Sequence, residues 1–178
     1  MTLLLENATL ATMTGGYGLI PGGSVLCEGE RILWAGTGPA PAAAVTDRVD
    51  CDGALVTPGL VDCHSHAVFA GSRAGEFEAR LKGASYEDIA RAGGGILSTV
   101  RATRAADEDR LLQESLPRVD AMIAAGATTI EIKSGYGLTV EDELKMLRVA
   151  RQIARHRPLR VVTTHLAAHA IPPDYKGR

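Results

Sequence analysis

Two histidines one residue apart end an apolar run that reads Thr57-Pro58-Gly59-Leu60-Val61-Asp62-Cys63-His64-Ser65-His66. In an extended strand successive side chains point to opposite faces. His64 and His66 therefore share a face and can offer two imidazole nitrogens to one metal ion. A bare His-x-His also arises by chance from core or surface histidines. The Pro-Gly turn, the strand-like Leu60-Val61 and the neighbouring Asp62 favour the metal site over that alternative.

Other residues along the chain could complement such a site. Arg73, in a Gly-Ser-Arg loop, can hold a carboxylate in a bidentate fork, or can be a solvated surface arginine. Tyr86 stands at a helix N-terminus, where free amides and the dipole favour an anion. Its hydroxyl can join the same pocket, or its ring can simply pack. Tyr136 lies between Gly135 and Gly137, which let the backbone turn tightly and present the phenol; the alternative is a loop tyrosine covering apolar surface. The run Thr163-Thr164-His165-Leu166-Ala167-Ala168-His169 adds two more histidines. Glu131 and Lys133 alternate with Ile130 and Ile132, so a buried pair would need partners and each can be the other's. His156, between Arg155 and Arg157, reads as a solvated helix C-terminal residue that complements the dipole. Gly93-Gly94-Gly95 lacks the spacing and preceding strand of a dinucleotide fingerprint and reads as a helix stop and mobile loop.

The elements that must position these groups follow from periodicity. Up to about residue 55 the chain shows short β-like runs. Val25-Leu26-Cys27 and Arg31-Ile32-Leu33-Trp34-Ala35 flank Glu28-Gly29-Glu30 as a hairpin, and residues 36–41 form a turn-rich link. Beyond the histidines, helices alternate with strands. Ser85-Tyr86-Glu87-Asp88 resembles a capping box opening a short helix. Leu111, Leu112, Leu116, Val119, Met122 and Ile123 recur at helical spacing between Asp107 and Ala125, with Gly126 placed to stop the helix. Residues 128–133 read as a buried strand. Thr139 caps a helix with Leu144, Leu147, Ala150 and Ile153 on one face, and residues 159–164 read as another strand. This alternation implies βαβ units and a parallel sheet, with active-site groups at the strand C-terminal ends.

The Pro-Gly-Leu-Val-Asp-x-His-x-His run resembles the signature of the amidohydrolase superfamily, which ends the first strand of a (β/α)8 barrel. Three longer segments, HAVFAGSRAGEFEARLKGASYEDIARAGGGI, ATTIEIKSGYGL and VVTTHLAAHAIPPDY, are similar to the imidazolonepropionase family, the ring-opening hydrolases of histidine degradation. The resemblance runs from about Leu55 to the last residue and is weaker before it. It implies an α/β fold: a partial TIM (β/α)8 barrel over residues 56–178, preceded over residues 1–55 by part of a small β-sandwich that the family completes with C-terminal strands. It also implies that His64 and His66 bind one divalent metal ion, zinc or iron. Arg73, Tyr86 and Tyr136 would bind 4-imidazolone-5-propanoate, with Arg73 anchoring its carboxylate. His169 would contact the substrate catalytically, polarising the ring carbonyl or steadying an oxyanion. His165 falls outside the family's binding set and reads as a core histidine or one that supports a ligand from behind.

A complete barrel needs about 250 residues, and this chain has 178. It therefore reads as an N-terminal piece, incompetent in catalysis and marginal in stability by itself, with the family's further metal-binding histidine, general base and late-strand aspartate expected beyond residue 178. Two histidines alone fall below the three protein ligands typical of catalytic zinc. Other readings remain: another amidohydrolase acting on a nucleobase-like ring, or a non-catalytic domain keeping a partial metal site. A net charge of −2 with scattered Lys and Arg argues against nucleic acid. Three cysteines without close pairing argue against a disulfide framework and for a reducing cytoplasm. The start lacks the basic region of a signal peptide, and no window approaches a membrane span. A homodimer is left open.

Overall fold

A computed structural model describes residues 1–41, 44–172, 175 and 177. Pro173 and Asp174, in the last of the three segments above, lie outside the described residues. The chain divides into two compact units, Met1–Pro58 and Gly59–Arg178.

The first unit is a sheet. Its strands are β1 (Thr2–Ala11), β2 (Leu19–Glu28), β3 (Arg31–Thr37), β4 (Asp47–Asp50) and the short β5 (Leu55–Val56). The order is β3-β2-β1-β4, with β5 also paired to β1. β2 and β3 form the expected antiparallel hairpin, in which Glu28 faces Arg31 across Gly29-Glu30. β4 and β5 run parallel to β1. A small apolar cluster of Ala8, Leu10 and Val25 forms its core.

The second unit begins with β6 (Leu60–Ser65) and passes through four helices to β7. These are α1 (Ala74–Leu81), α2 (Tyr86–Arg91), α3 (Ile96–Ala105) and α4 (Glu108–Ala124). β7 (Ala127–Lys133) leads through α5 (Val140–His156) to β8 (Arg160–Thr164) and a 3-10 turn at Ala167–His169. The three strands form a parallel sheet in the order β6-β7-β8. Among the described residues no helix is long and apolar enough to cross a membrane, and all three cysteines are free.

Local chemistry sets the helix ends. Asp107 accepts the Arg110 amide at 2.8 Å to start α4, and Thr139 accepts the Asp142 amide at 3.1 Å to start α5. At α2 the Ser85 hydroxyl accepts the Asp88 amide at 3.1 Å while the Asp88 carboxylate accepts the Ser85 amide at 3.0 Å, a reciprocal capping box. α1 and α3 carry no such signal, since no side chain caps either N-terminus. Periodicity does not reveal them either, because α1 buries no residue and α3 buries Thr99, Val100 and Thr103, so neither carries an apolar stripe. Gly93-Gly94-Gly95 is thus more than a helix stop, because Gly95 is also the residue from which α3 begins.

The alternation of β7 places Ile130 and Ile132 in the core, where both are almost fully buried against Leu111, Leu116 and Val119 of α4 and Met146, Val149 and Ile153 of α5. Burying each isoleucine contributes about 1.5–3 kcal/mol, so Ile130→Ala would remove more than most surface changes could. The α5 face differs from expectation at one end. Ala150 and Ile153 are buried, but Leu144 is 46% exposed, and Met146 and Val149 fill the place it was given. α5 has apolar residues on two adjoining faces, and packing against β7 selects one.

Candidate metal and substrate site

β6 delivers the two histidines, though not as a regular strand. Its pairing with β7 shifts register between Asp62 and Ser65. Within that stretch the Asp62 carboxylate accepts the His64 amide at 3.1 Å, and the Ser65 hydroxyl donates to the Glu131 carbonyl at 3.0 Å. His66 lies just past the end of β6. The two rings nevertheless come together, with centroids 5.6 Å apart. A local turn and a side-chain anchor achieve what simple strand alternation was expected to achieve.

His66 is the centre of the cluster. Its ring lies 4.7 Å from that of His169 and 5.2 Å from that of Tyr136. The Tyr136 ring meets His169 edge-on at 5.6 Å and Phe69 at 6.0 Å. Both ring nitrogens of His66 are buried and neither makes a hydrogen bond of good geometry, although the Ser134 backbone lies close enough to favour the protonated ring; a buried N–H and lone pair left this way cost free energy unless other groups take them. Burial of the ring, and then the adjacent His169 and His64, hold His66 below the usual imidazole range, with the Ser134 backbone opposing them. The neutral form that this favours is the one that ligates metal. Among the described residues no group of three or more His, Cys, Asp or Glu is arranged to hold a metal ion. A neutral imidazole has one lone pair to offer a cation, so a single unpaired nitrogen of His66, with the His64 ring beside it, is the donor chemistry a divalent ion would require.

The polar face of β7 lies beside them. Lys133 donates to Glu131, and the Thr164 hydroxyl donates to the same carboxylate at 2.5 Å. The Lys133 ammonium first, and then Thr164, hold the Glu131 carboxyl below its usual range. This pair satisfies itself, as its spacing suggested.

His169 sits on the 3-10 turn after β8, where its amide donates to the Leu166 carbonyl at 3.1 Å. Ser134 ties the two loops together, because its amide donates to the Thr164 carbonyl and its hydroxyl accepts the Leu166 amide, each at 3.0 Å. Gly135 then passes so close to His169 that a Cβ on it would lie 2.8 Å from the histidine Cβ. His165, expected in the core or behind a ligand, is exposed instead.

The segment after His66 is held by groups that sequence reasoning overlooked. Arg118 of α4 donates to the carbonyls of Ala67 and Phe69, each at 2.9 Å, and its guanidinium carbon lies 3.6 Å from the Phe69 ring centre. Desolvation lowers the Arg118 pKa from its ordinary value, with Glu114 opposing. The Thr103 hydroxyl accepts the Ala70 amide at 3.2 Å, and Glu114 accepts the Gly71 amide at 3.1 Å. Arginine in mid-helix reads as a solvated residue, so only the contact could reveal it.

Arg73 and Tyr86 are not brought into the ring cluster. The Arg73 side chain is 49% exposed and pairs with Glu76 at 2.9 Å, which holds the Glu76 carboxyl below its usual range. Glu76 in turn accepts the Gly95 amide at 2.9 Å. Tyr86 opens α2 and is 72% exposed.

No family model matches the chain. Curated relatives do. The chain is 59% identical over 176 residues to the imidazolonepropionase of Cereibacter sphaeroides, covering 99% of this chain and 45% of that protein. To the imidazolonepropionase of Paracoccus denitrificans it is 61% identical over 179 residues, covering 97% and 44%. The chain therefore spans about 45% of the length of these relatives. Among solved structures, a prolidase complexed with N-methylphosphonate-L-proline superposes with a TM-score of 0.61 at 17% identity, covering 93% of this chain and 32% of that one. An atrazine chlorohydrolase from Arthrobacter aurescens complexed with zinc gives 0.59 at 16%, covering 92% and 35%. A crystal structure of an amidohydrolase gives 0.59 at 18%, covering 93% and 32%. At those identities the likeness establishes the fold: an α/β architecture with strands and helices of a partial amidohydrolase barrel, preceded in sequence by a β unit. The chain is similar in sequence to curated imidazolonepropionases over the span that it shares with them, about 45% of their length.

Proposed function

We propose that the protein carrying this chain hydrolyses the ring of 4-imidazolone-5-propanoate to N-formimidoyl-L-glutamate, in histidine degradation and in the cytoplasm. The observation that carries this reading is the unpartnered, buried pair of His66 nitrogens in ring contact with His169 and Tyr136. The family similarity supports the choice of substrate.

His64 and His66 are the residues that would hold a divalent ion, zinc or iron, since imidazole accepts both. When bound, such an ion lowers the pKa of a coordinated water toward about 7 and polarises a carbonyl oxygen. His169 lies one ring away from His66, so its imidazole N–H can donate to the substrate ring carbonyl as negative charge develops there. Tyr136 presents its phenol beside the same ring and fixes the substrate's orientation. Arg73 would receive the propionate carboxylate, for which it would exchange the Glu76 partner it holds in this structure. Tyr86, exposed at the start of α2, would add its hydroxyl to that carboxylate pocket.

The test is turnover by the protein as its gene encodes it, with metal content measured on the same sample. Ring opening of 4-imidazolone-5-propanoate, with no comparable activity on a neutral nucleobase-like ring, is the expected result. Preference for the neutral ring would transfer the site to another amidohydrolase reaction. A protein that retains no metal and turns over neither compound would overturn the enzymatic reading altogether.

A further inference from the structure

We propose that Glu143 is a positioning residue for Tyr136, its buried carboxylate setting the loop that presents the tyrosine ring to His66 and His169. This rests on the reading of Tyr136 as a substrate-binding residue. Glu143 lies in the first turn of α5 and is fully buried. A carboxylate there is ordinarily solvated and complements the helix N-terminus. Here it turns back into the loop of residues 134–139. Its Oε1 accepts the Gly137 amide at 2.8 Å and the Leu138 amide at 2.7 Å, while Oε2 is buried without a partner.

The same peptide is held from the other side. The Arg104 Nε donates to the Gly137 carbonyl at 2.6 Å, and Lys145 fixes the end of α3 that carries Arg104 by donating to the Arg104 and Ala106 carbonyls, each at 3.0 Å. Both polar groups of the Gly137–Leu138 peptide unit, the Gly137 carbonyl and the Leu138 amide, thus have fixed partners, as does the Gly137 amide. The approach is tight, because a Cβ at Gly137 would lie 2.5 Å from the Glu143 amide nitrogen. The next residue, Leu138, is buried with φ of +55°, a left-handed conformation that a leucine adopts only where surroundings impose it. At the other end of the loop, Ser134 is tied to the β8 exit that carries His169. Tyr136 lies between these two anchors, so its ring direction is set by backbone that Glu143 and Ser134 hold. Such support is what precise placement of a binding group requires.

A merely structural glutamate and a positioning one differ in what they predict. Amide hydrogen exchange on the unaltered protein comes first: Gly137 and Leu138 should be protected to the same degree as the interior of α5, and free exchange at both would overturn the proposal. Glu143→Ala should then expose both amides and raise KM for 4-imidazolone-5-propanoate by about tenfold, the effect of one lost charge-assisted contact, with a smaller change in kcat. Glu143→Gln, which keeps the accepting oxygen, should lose less. Combined with Tyr136→Phe, Glu143→Ala should add little to the loss from Tyr136→Phe alone. Full additivity, or Glu143→Gln as impaired as Glu143→Ala, would overturn the proposal. Should Glu143→Ala not fold, Glu143→Gln carries the same cycle at smaller amplitude. A protein inactive on this substrate would defeat the functional reading, and the exchange measurement would still decide the loop clamp by itself.

Discussion

The strand exits and the α1–α2 segment carry candidate site residues on very different supports. At the exits of β6, β7 and β8, each candidate side chain follows backbone whose polar groups are anchored. Ser65 is tied to Glu131, Ser134 to Thr164 and Leu166, and the segment after His66 to Arg118 and Thr103. There His64, His66, Tyr136 and His169 form one cluster. In α1 and α2 the partners are local: Arg73 pairs with Glu76 three residues on, Arg91 with Glu87 four residues back, and Lys82 with Glu78. The exposed pairs of Lys82 and Arg91 are worth little and fix nothing beyond their own helix, and although Glu76 reaches the Gly95 amide at the start of α3, that contact does not bring Arg73 into the ring cluster. The difference shows that convergence on a site comes from long-range anchoring of backbone, which a hydrogen-bonded strand exit provides and a short surface helix does not.

The strongest way to break the cluster is to remove its centre. His64→Ala combined with His66→Ala, made in the protein as its gene encodes it, should abolish retention of a divalent metal and leave the circular dichroism of the folded protein unchanged. The reason is that both side chains sit at the end of a strand whose pairing does not depend on them. Unchanged metal stoichiometry would sink the assignment.

Removing an anchor instead of a proposed ligand should cost stability. Arg118→Met keeps the alkyl stem over Phe69 but leaves the Ala67 and Phe69 carbonyls without their donor. Two unpaired, largely buried acceptors and a lost cation–π contact amount to about 3 kcal/mol, read as a lower urea midpoint with an unchanged slope. A change below about 0.5 kcal/mol, the scale of an ordinary surface substitution, would show that the segment after His66 holds itself.

Arg73 probes the other side of the comparison. Arg73→Lys keeps the charge and loses the planar fork, so kcat/KM for 4-imidazolone-5-propanoate should fall by about 1–2 kcal/mol in transition-state terms. Stability should hardly move, because the ion pair with Glu76 is half exposed. Unchanged kinetics would remove Arg73 from the site.

Much of this was legible in the chain, and the failures have physical causes. Strict alternation exposed β7, since Ile130 and Ile132 face one way and Glu131 and Lys133 the other. Polar residues at helix starts exposed α2, α4 and α5 through Ser85, Asp107 and Thr139. α1 and α3 begin without a side-chain cap and went unread. The histidine pair was legible by spacing, yet the register shift at Asp62–Ser65 was not, because a bulge leaves no mark in composition. Leu144 was misassigned since a pattern with two apolar faces cannot say which one meets the sheet. Arg118 and Glu143 escaped notice for a shared reason. A lone charge on an amphipathic helix belongs to the solvated face by default, and only tertiary contact reveals the carbonyl or amide it serves.

The smallest effect tests the start of α5, where the anchored loop ends. Asp142 accepts the Thr139 hydroxyl at 2.7 Å and pairs with Lys145 at 2.9 Å. Burial pushes its carboxyl up, but the Thr139 hydroxyl, Lys145 and Arg104 together outweigh burial and hold it below its ordinary value of 3.8. A carboxyl depressed in the folded state contributes stability that is fully present above the unfolded pKa and is lost as pH falls through the folded one. Asp142→Asn should therefore destabilise the protein at pH 7 by about 1 kcal/mol, the value of a charge-assisted contact discounted for partial exposure to solvent. The gap between Asp142→Asn and the parent should stay constant from pH 7 down to about pH 5, then shrink below pH 4 as the parent's carboxylate protonates. Denaturant unfolding of the two proteins across that range measures it. A gap that persists undiminished at the lowest pH where both still fold would mean that Asp142 acts at this helix start through shape alone, and that its charge contributes nothing to the anchoring of the loop that carries Tyr136.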